Sequence, residues 1–148
     1  VDHFKDANDH FGHEAGDRIL QQLAARLQGV VRDTDLIFRW GGEEFVLLLA
    51  HTSADEAPAL AERVRAAVAE RPFAGTGTHP PIALTVSLGT VGSRDVFDAD
   101  LLLARADEAC YRAKTKGRNR VEHDLEPSAW PEAPAAGLPA SRTPETVH

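Results

Sequence analysis

The chain has 148 residues and a formal net charge of -7, with 23 acidic against 16 basic side chains, which weighs against non-specific binding to nucleic acid or to an anionic membrane. Cys110 is the single cysteine, so no intramolecular disulfide can form, a composition that fits a reducing compartment, and no apolar run approaches membrane-spanning length. The length suits one domain with its own core; the start at Val1 and the lack of methionine read as a fragment of a longer parent.

Residues 2–12 are polar apart from Phe4, Ala7 and Phe11 and read as a short helix or loop ending at Gly12. An amphipathic helix is predicted over about 14–31, because Leu20, Leu23, Ala24, Leu27 and Val31 share one helical face. A polar turn at 32–35 leads to strands at 36–40 and 44–50, which flank Gly41 and Gly42. A glycine pair between two strand-like runs signals a two-residue hairpin turn with positive φ at both positions. Glu43 and Glu44 then open a strand whose continuation, Phe45 onward, is apolar on both faces and reads as buried. Carboxylates at the mouth of a buried strand are costly unless paired, hydrated or bound to a metal. A tip without side chains admits a bulky anion to the backbone. Spacing by itself leaves a phosphate-and-metal site and a solvated turn both open.

A helix is predicted over about 55–70, with Asp55 as N-cap, Pro58 in the first turn and Ala57, Leu60, Ala61, Val64 and Val68 as its stripe. Residues 71–81 form a loop, and 82–91 a strand in which Gly89 marks a bulge or a close-packing point. A last helix over about 99–116 is capped by Asp98 or Asp100 and ended by Gly117, with Lys114 and Lys116 suiting its dipole, and a short strand follows at 120–123. Beyond Leu125 the composition turns to Pro, Ala, Ser, Thr and Glu with no apolar period, so the expected division is a folded domain over 1–122 and a disordered tail over 123–148. The order of elements predicts an α/β (α+β) sandwich with a hairpin rather than an alternating doubly wound sheet.

Five words of sequence, in this order, resemble one family: Asp2-His3-Phe4-Lys5-x-x-Asn8-Asp9, Gly12-His13-x-x-Gly16-Asp17, Gly41-Gly42-Glu43-Glu44-Phe45, Ser87-x-Gly89, and Ala113-Lys114-x-x-Gly117-Arg118-Asn119-Arg120. The chain looks like a GGDEF domain of the diguanylate cyclase family in its GGEEF spelling. The resemblance implies a ferredoxin-like palm similar to that of nucleotide cyclases. It implies condensation of two GTP into cyclic di-GMP with loss of two pyrophosphates, a homodimer in which each protomer presents one GTP, and Mg²⁺ or Mn²⁺ as cofactor. Asn8 and Asp17 match the guanine readers, and a carboxylate can accept from guanine N1–H and N2–H₂ together. His13 either lines that pocket or simply begins a helix. Phe4 and Lys5 match a phosphate-cradling turn that works through backbone N–H groups, with Gly41 and Gly42 beside it. Glu43 matches a metal ligand and candidate base, Glu44 a second ligand, and Val1 a position whose carbonyl reaches the metal. Lys114 and Arg118 match triphosphate contacts; otherwise they are a solvated helix end. Arg32-x-x-Asp35 has the family's RxxD pattern, an inhibitory site for the product, with Arg63 a weaker second contact.

The family's further metal-binding Asp, two residues before the position of Asp2, falls before Val1, as do most of the central first strand and the helix preceding it. The 148-residue chain alone is therefore expected to be poorly stable and inactive, and its full-length parent active. A competing reading is a catalytically inactive GGDEF domain that binds GTP or cyclic di-GMP and regulates a partner; a third is a palm-type cyclase with another base preference. That Asn8, Asp17, Glu43, Glu44, Lys114 and Arg118 are all present favours an active cyclase. An upstream sensor is expected in the parent. Use of GTP implies a cytoplasmic domain, whether or not the parent is anchored in a membrane.

Overall fold

A computed structural model describes residues 1–75, 80–92, 98–124 and 145–146. In chain order its elements are α1 (Phe4–Phe11), α2 (His13–Gln28), β1 (Leu36–Gly41), β2 (Glu44–Leu48), α3 (Ala57–Glu70), β3 (Leu88–Val91), α4 (Ala99–Thr115), β4 (Val121–Asp124) and β5 (Glu145–Thr146). The fold is mixed α/β, as the order of elements predicted. β1 pairs antiparallel with both β2 and β5, and β3 pairs parallel with β4 in a second small sheet. β4 runs two residues past the expected domain boundary, and Glu145–Thr146 lies within the segment expected to be a disordered tail; the rest of that tail lies outside the described residues.

The apolar stripes of α2 and α3 meet in the core. Ile19, Leu20, Leu23 and Leu27 pack with Val64 and Val68, closed by Ile37, Phe73, Ile82 and Val86, while Phe4 and Ala7 seat α1 on the same cluster. Each such side chain contributes roughly 1.5–3 kcal/mol on burial. Phe73, in the segment predicted as a loop, is completely buried. It exchanges two 2.8 Å backbone bonds with Ile82. The Arg26 guanidinium lies 4.0 Å over its ring and donates to the carbonyls of Val68, Arg71 and Pro72.

Several boundaries differ from expectation. α2 stops at Gln28, three residues early, because the N–H groups of Val30 and Val31 both turn back to Leu27 O. α3 starts after Glu56, one residue later than a cap at Asp55 implied; the Glu56 carboxylate reaches back to accept from Ser53 N at 3.0 Å and Ser53 Oγ at 2.9 Å, the bond pattern of a Ser-x-x-Glu box in the turn that leads into the helix. Pro58 does fall in the first turn. The strand expected over 82–91 is reduced to β3, since 83–87 is reached among the described residues by one backbone bond, Asp2 N to Thr85 O at 2.9 Å, and has no ladder partner. β2 is not buried as its apolar run implied; it is an edge strand whose Leu48 is 44% exposed beside Leu36 at 45%. Asp98 is the cap of α4, accepting from Leu101 N at 3.1 Å. Gly89 is a close-packing point: a Cβ there would lie 2.1 Å from Ala106 O and 2.3 Å from Cys110 N, so only glycine lets α4 rest on β3.

Candidate functional site

The first four residues draw separate parts of the fold to one place. The Val1 nitrogen donates to Glu43 O at 3.2 Å, at the hairpin tip. The Asp2 carboxylate binds Asn119 N, just past α4, and Phe4 opens α1. Four consecutive residues span at most about 11 Å, so hairpin tip, α4 exit and α1 start converge within that distance.

Asp2 is 2% exposed and fully engaged. Thr85 Oγ1 and Ser87 Oγ each donate to it at 2.7 Å and Asn119 N at 3.1 Å. Burial pushes this carboxyl upward, but the bonds from Thr85, Ser87 and Asn119 outweigh it and hold it below its ordinary value. α1 begins beside it with His3 in the left-handed region and no side-chain cap, so the N–H groups of Phe4 and Lys5, in its uncapped first turn, can serve a bound anion. The Phe4 ring itself is a core group.

Asn8 and Gly16 form the other end of the site. Asn8 Oδ1 is buried and has no hydrogen-bond partner among the described residues. A Cβ at Gly16 would lie 1.9 Å from that oxygen and 3.1 Å from Phe4 Cζ, so the missing side chain is the space the amide occupies. Asp17 follows Gly16 on α2 and is exposed, as is His13 at the helix start. An unpaired buried amide next to an exposed carboxylate is a donor-and-acceptor edge suited to a planar base.

The hairpin tip is displaced by one residue from expectation. Gly41 is the end of β1 and pairs with Glu44, so the turn residues are Gly42 and Glu43, and of the two glycines only Gly42 has positive φ, at 47°. The register slips between Arg39 and Gly41, which makes Trp40 the extra residue of a bulge. Arg39 holds the tip by donating Nε and Nη2 to Gly42 O at 3.1 and 2.9 Å. Glu43, in the turn, is half-buried, and Glu44, the first residue of β2, is exposed. No group of three His, Cys, Asp or Glu side chains able to hold an ion occurs among the described residues. Glu43 and Glu44 nevertheless fit Mg²⁺, which is held by one or two carboxylates with phosphate and water oxygens completing its shell.

α4 ends in a Schellman motif: Arg118 N donates to Ala113 O at 3.0 Å and Gly117 N to Lys114 O at 3.4 Å. Lys114 is half-buried in the last turn and Arg118 is exposed just beyond it. Away from this cluster, Asp35 is buried; its Oδ2 accepts from Arg32 N at 2.9 Å while its Oδ1 has no partner among the described residues. Arg32 is exposed near Glu56, whose carboxyl it helps depress after the larger effect of the Ser53 bonds, and Arg63 lies on the exposed side of α3.

Asp2, Gly16 and Asn119 stand within the motifs but carry no role by sequence alone, and nothing in the local pattern marks Thr85 by itself or Arg65. Thr85 and Ser87, two hydroxyls at alternate positions of a strand-like run, were the available signal for a shared polar partner.

Residues 1–120 match the family described as diguanylate cyclase, GGDEF domain. The chain is 47% identical over 121 residues to diguanylate cyclase DgcM of Escherichia coli, covering 82% of this chain and 28% of that protein. It is 45% identical over 122 residues to diguanylate cyclase DgcP of Pseudomonas aeruginosa, covering 82% of this chain and 18% of the relative. It therefore spans less than a third of these curated relatives. Its structure is similar to the GGDEF domain of DgcB from Caulobacter crescentus in complex with c-di-GMP, with a TM-score of 0.77, 32% identity and coverage of 83% of this chain and 72% of that one.

Proposed function

The chain belongs to the GGDEF diguanylate cyclase family, and from that premise we propose that it is the catalytic domain of a diguanylate cyclase that joins two GTP into cyclic di-GMP. The observation that carries this reading is the unpaired, buried Asn8 Oδ1 in the space left by Gly16, on the same short helix whose uncapped start faces the anion-binding end. Asn8 and Asp17 take the guanine edge. The N–H groups of Phe4 and Lys5, with Lys114 and Arg118, take the triphosphate. Glu43 and Glu44, with the Val1 carbonyl, hold Mg²⁺ or Mn²⁺, which when bound neutralises phosphate charge. Gly41 and Gly42 leave the tip bare for close approach of the phosphates.

In each half-reaction the 3′-hydroxyl of one GTP attacks the α-phosphorus of the other. The bond to the β-phosphate oxygen breaks, pyrophosphate leaves, and the hydroxyl proton passes to Glu43 as base. Two protomers must face each other, because one site holds one nucleotide. Arg32 and Asp35, with Arg63, form a second site at which product inhibits; the partnerless Asp35 Oδ1 supports it. GTP supply makes the cytoplasm the place of action, under control of an upstream sensor.

Incubating the full-length protein with GTP and Mg²⁺ should yield cyclic di-GMP and two pyrophosphates per product, and Asp17→Ala should sharply weaken GTP use. GTP binding without product would leave a binding module instead, and equal use of GTP and ATP by wild type and Asp17→Ala would remove the guanine assignment.

A further inference from the structure

Three consecutive residues after α4 have positive φ: Gly117 at 112°, Arg118 at 60° and Asn119 at 46°. Glycine adopts this region without penalty, whereas an arginine there is strained and persists only where its surroundings hold it. The Schellman motif accounts for the left-handed Gly117 and ties down Arg118 N, and it leaves the left-handed Arg118–Asn119 pair to outside help. It comes from two directions. On one side Asp2 Oδ2 accepts from Asn119 N at 3.1 Å, and that carboxylate is itself locked by Thr85 and Ser87. On the other side Arg65 Nη1 of α3 donates to Asn119 Oδ1 at 2.7 Å, while Glu62 grips the same guanidinium through Nε and Nη2 at 2.6–2.9 Å.

We propose that Asp2 and Arg65 are positioning residues that clamp Asn119 from opposite sides and so aim Arg118 at the phosphates of the bound nucleotide. The inference rests on the reading of Arg118 as a triphosphate contact. Arg118 lies between the Schellman bond and the clamp, and its side chain is exposed where an anion can reach it. A guanidinium binds phosphate well only when its fork arrives in one orientation, so fixing the backbone on both sides lowers the ordering cost at binding. Asp2 carries the larger share, because it is buried and charged, whereas the Arg65–Glu62 pair is partly exposed and screened. The same carboxylate lies two residues before Phe4, so one group registers both halves of the phosphate site.

The test compares GTP with guanosine, which lacks phosphates, in titrations of the full-length wild type, Asp2→Asn, Arg65→Met and Arg118→Ala. Arg118→Ala and Asp2→Asn should each weaken GTP about tenfold, and Arg65→Met about threefold, with guanosine affinity within about twofold throughout. Combining Asp2→Asn with Arg118→Ala should weaken GTP by less than about twofold beyond Arg118→Ala alone, since both act through one guanidinium. Normal GTP affinity in Asp2→Asn, alongside a loss in Arg118→Ala, overturns the clamp and leaves the phosphate site standing. Normal GTP affinity in Arg118→Ala overturns the site reading itself. Parallel loss of GTP and guanosine in Asp2→Asn marks a general folding role and also overturns the clamp. Should Asp2→Asn not fold, as judged by circular dichroism, Arg65→Met decides by the same criteria.

Discussion

The two ends of the proposed nucleotide site treat buried polar atoms in opposite ways. At the phosphate end, the Asp2 carboxylate accepts from three donors and closes its own account of hydrogen bonds within the protein. At the base end, six residues further on, Asn8 Oδ1 is just as hidden and has none. A satisfied buried charge is framework, because every partner would be left unpaired without it. An unsatisfied one is tolerated where a ligand supplies the missing bond, and natural structures hold few of them. Asp35 Oδ1, in the second proposed site, shares the condition of Asn8.

The sharpest way to break this contrast is through stability. Asp2→Ala strands two hydroxyls and an N–H, and it should lower the unfolding free energy by about 3 kcal/mol, whereas Asn8→Ala should change it by less than about 1 kcal/mol. Urea unfolding of both variants checks this, and equal losses would end the distinction. Next in size is Gly16→Ala, whose added Cβ must drive the Asn8 amide out of its place. Its GTP affinity should fall about tenfold, or about 1.4 kcal/mol, by calorimetric titration, and an unchanged value would detach Asn8 from the base. Asp35→Ala should alter stability by less than about 1 kcal/mol while relieving inhibition by added cyclic di-GMP in a turnover assay. Persisting inhibition in both Asp35→Ala and Arg32→Ala would remove the second site.

The smallest effect is one of pH. The folded-state carboxyl of Asp2 lies below its ordinary value of 3.8, so its contribution is complete above that value and is lost as pH falls through the lower, folded-state one. Wild type should therefore lose stability on acidification below about pH 3.8 more steeply than Asp2→Asn; superimposable acid profiles would show that the carboxylate is not held as described.

Much of the fold is legible locally. The stripe Leu20, Leu23, Leu27 and the stripe Leu60, Val64, Val68 identify α2 and α3 because helical period and burial coincide there. Asp98 and Gly117 delimit α4 by cap chemistry that acts within one turn. The strand misses involve a distant partner. Residues 83–87 carry strand-forming residues, but a strand exists only where a neighbour completes its ladder. Phe45 onward is apolar enough for a buried strand, yet its position at the sheet edge, not its composition, sets its exposure. The Gly41-Gly42 pair marks a tight turn correctly, and the bulge at Trp40 shifts which residues make it.

By itself the amino-acid order determined the family, the mixed α/β class and the residue types assembled for nucleotide chemistry, because motifs and periods are properties of neighbours in the chain. Only the tertiary structure decided which of those polar groups are already paired. Asp2 and Asn119 stand 117 positions apart, and whether a buried atom is satisfied depends on contacts across that separation, which no local pattern encodes.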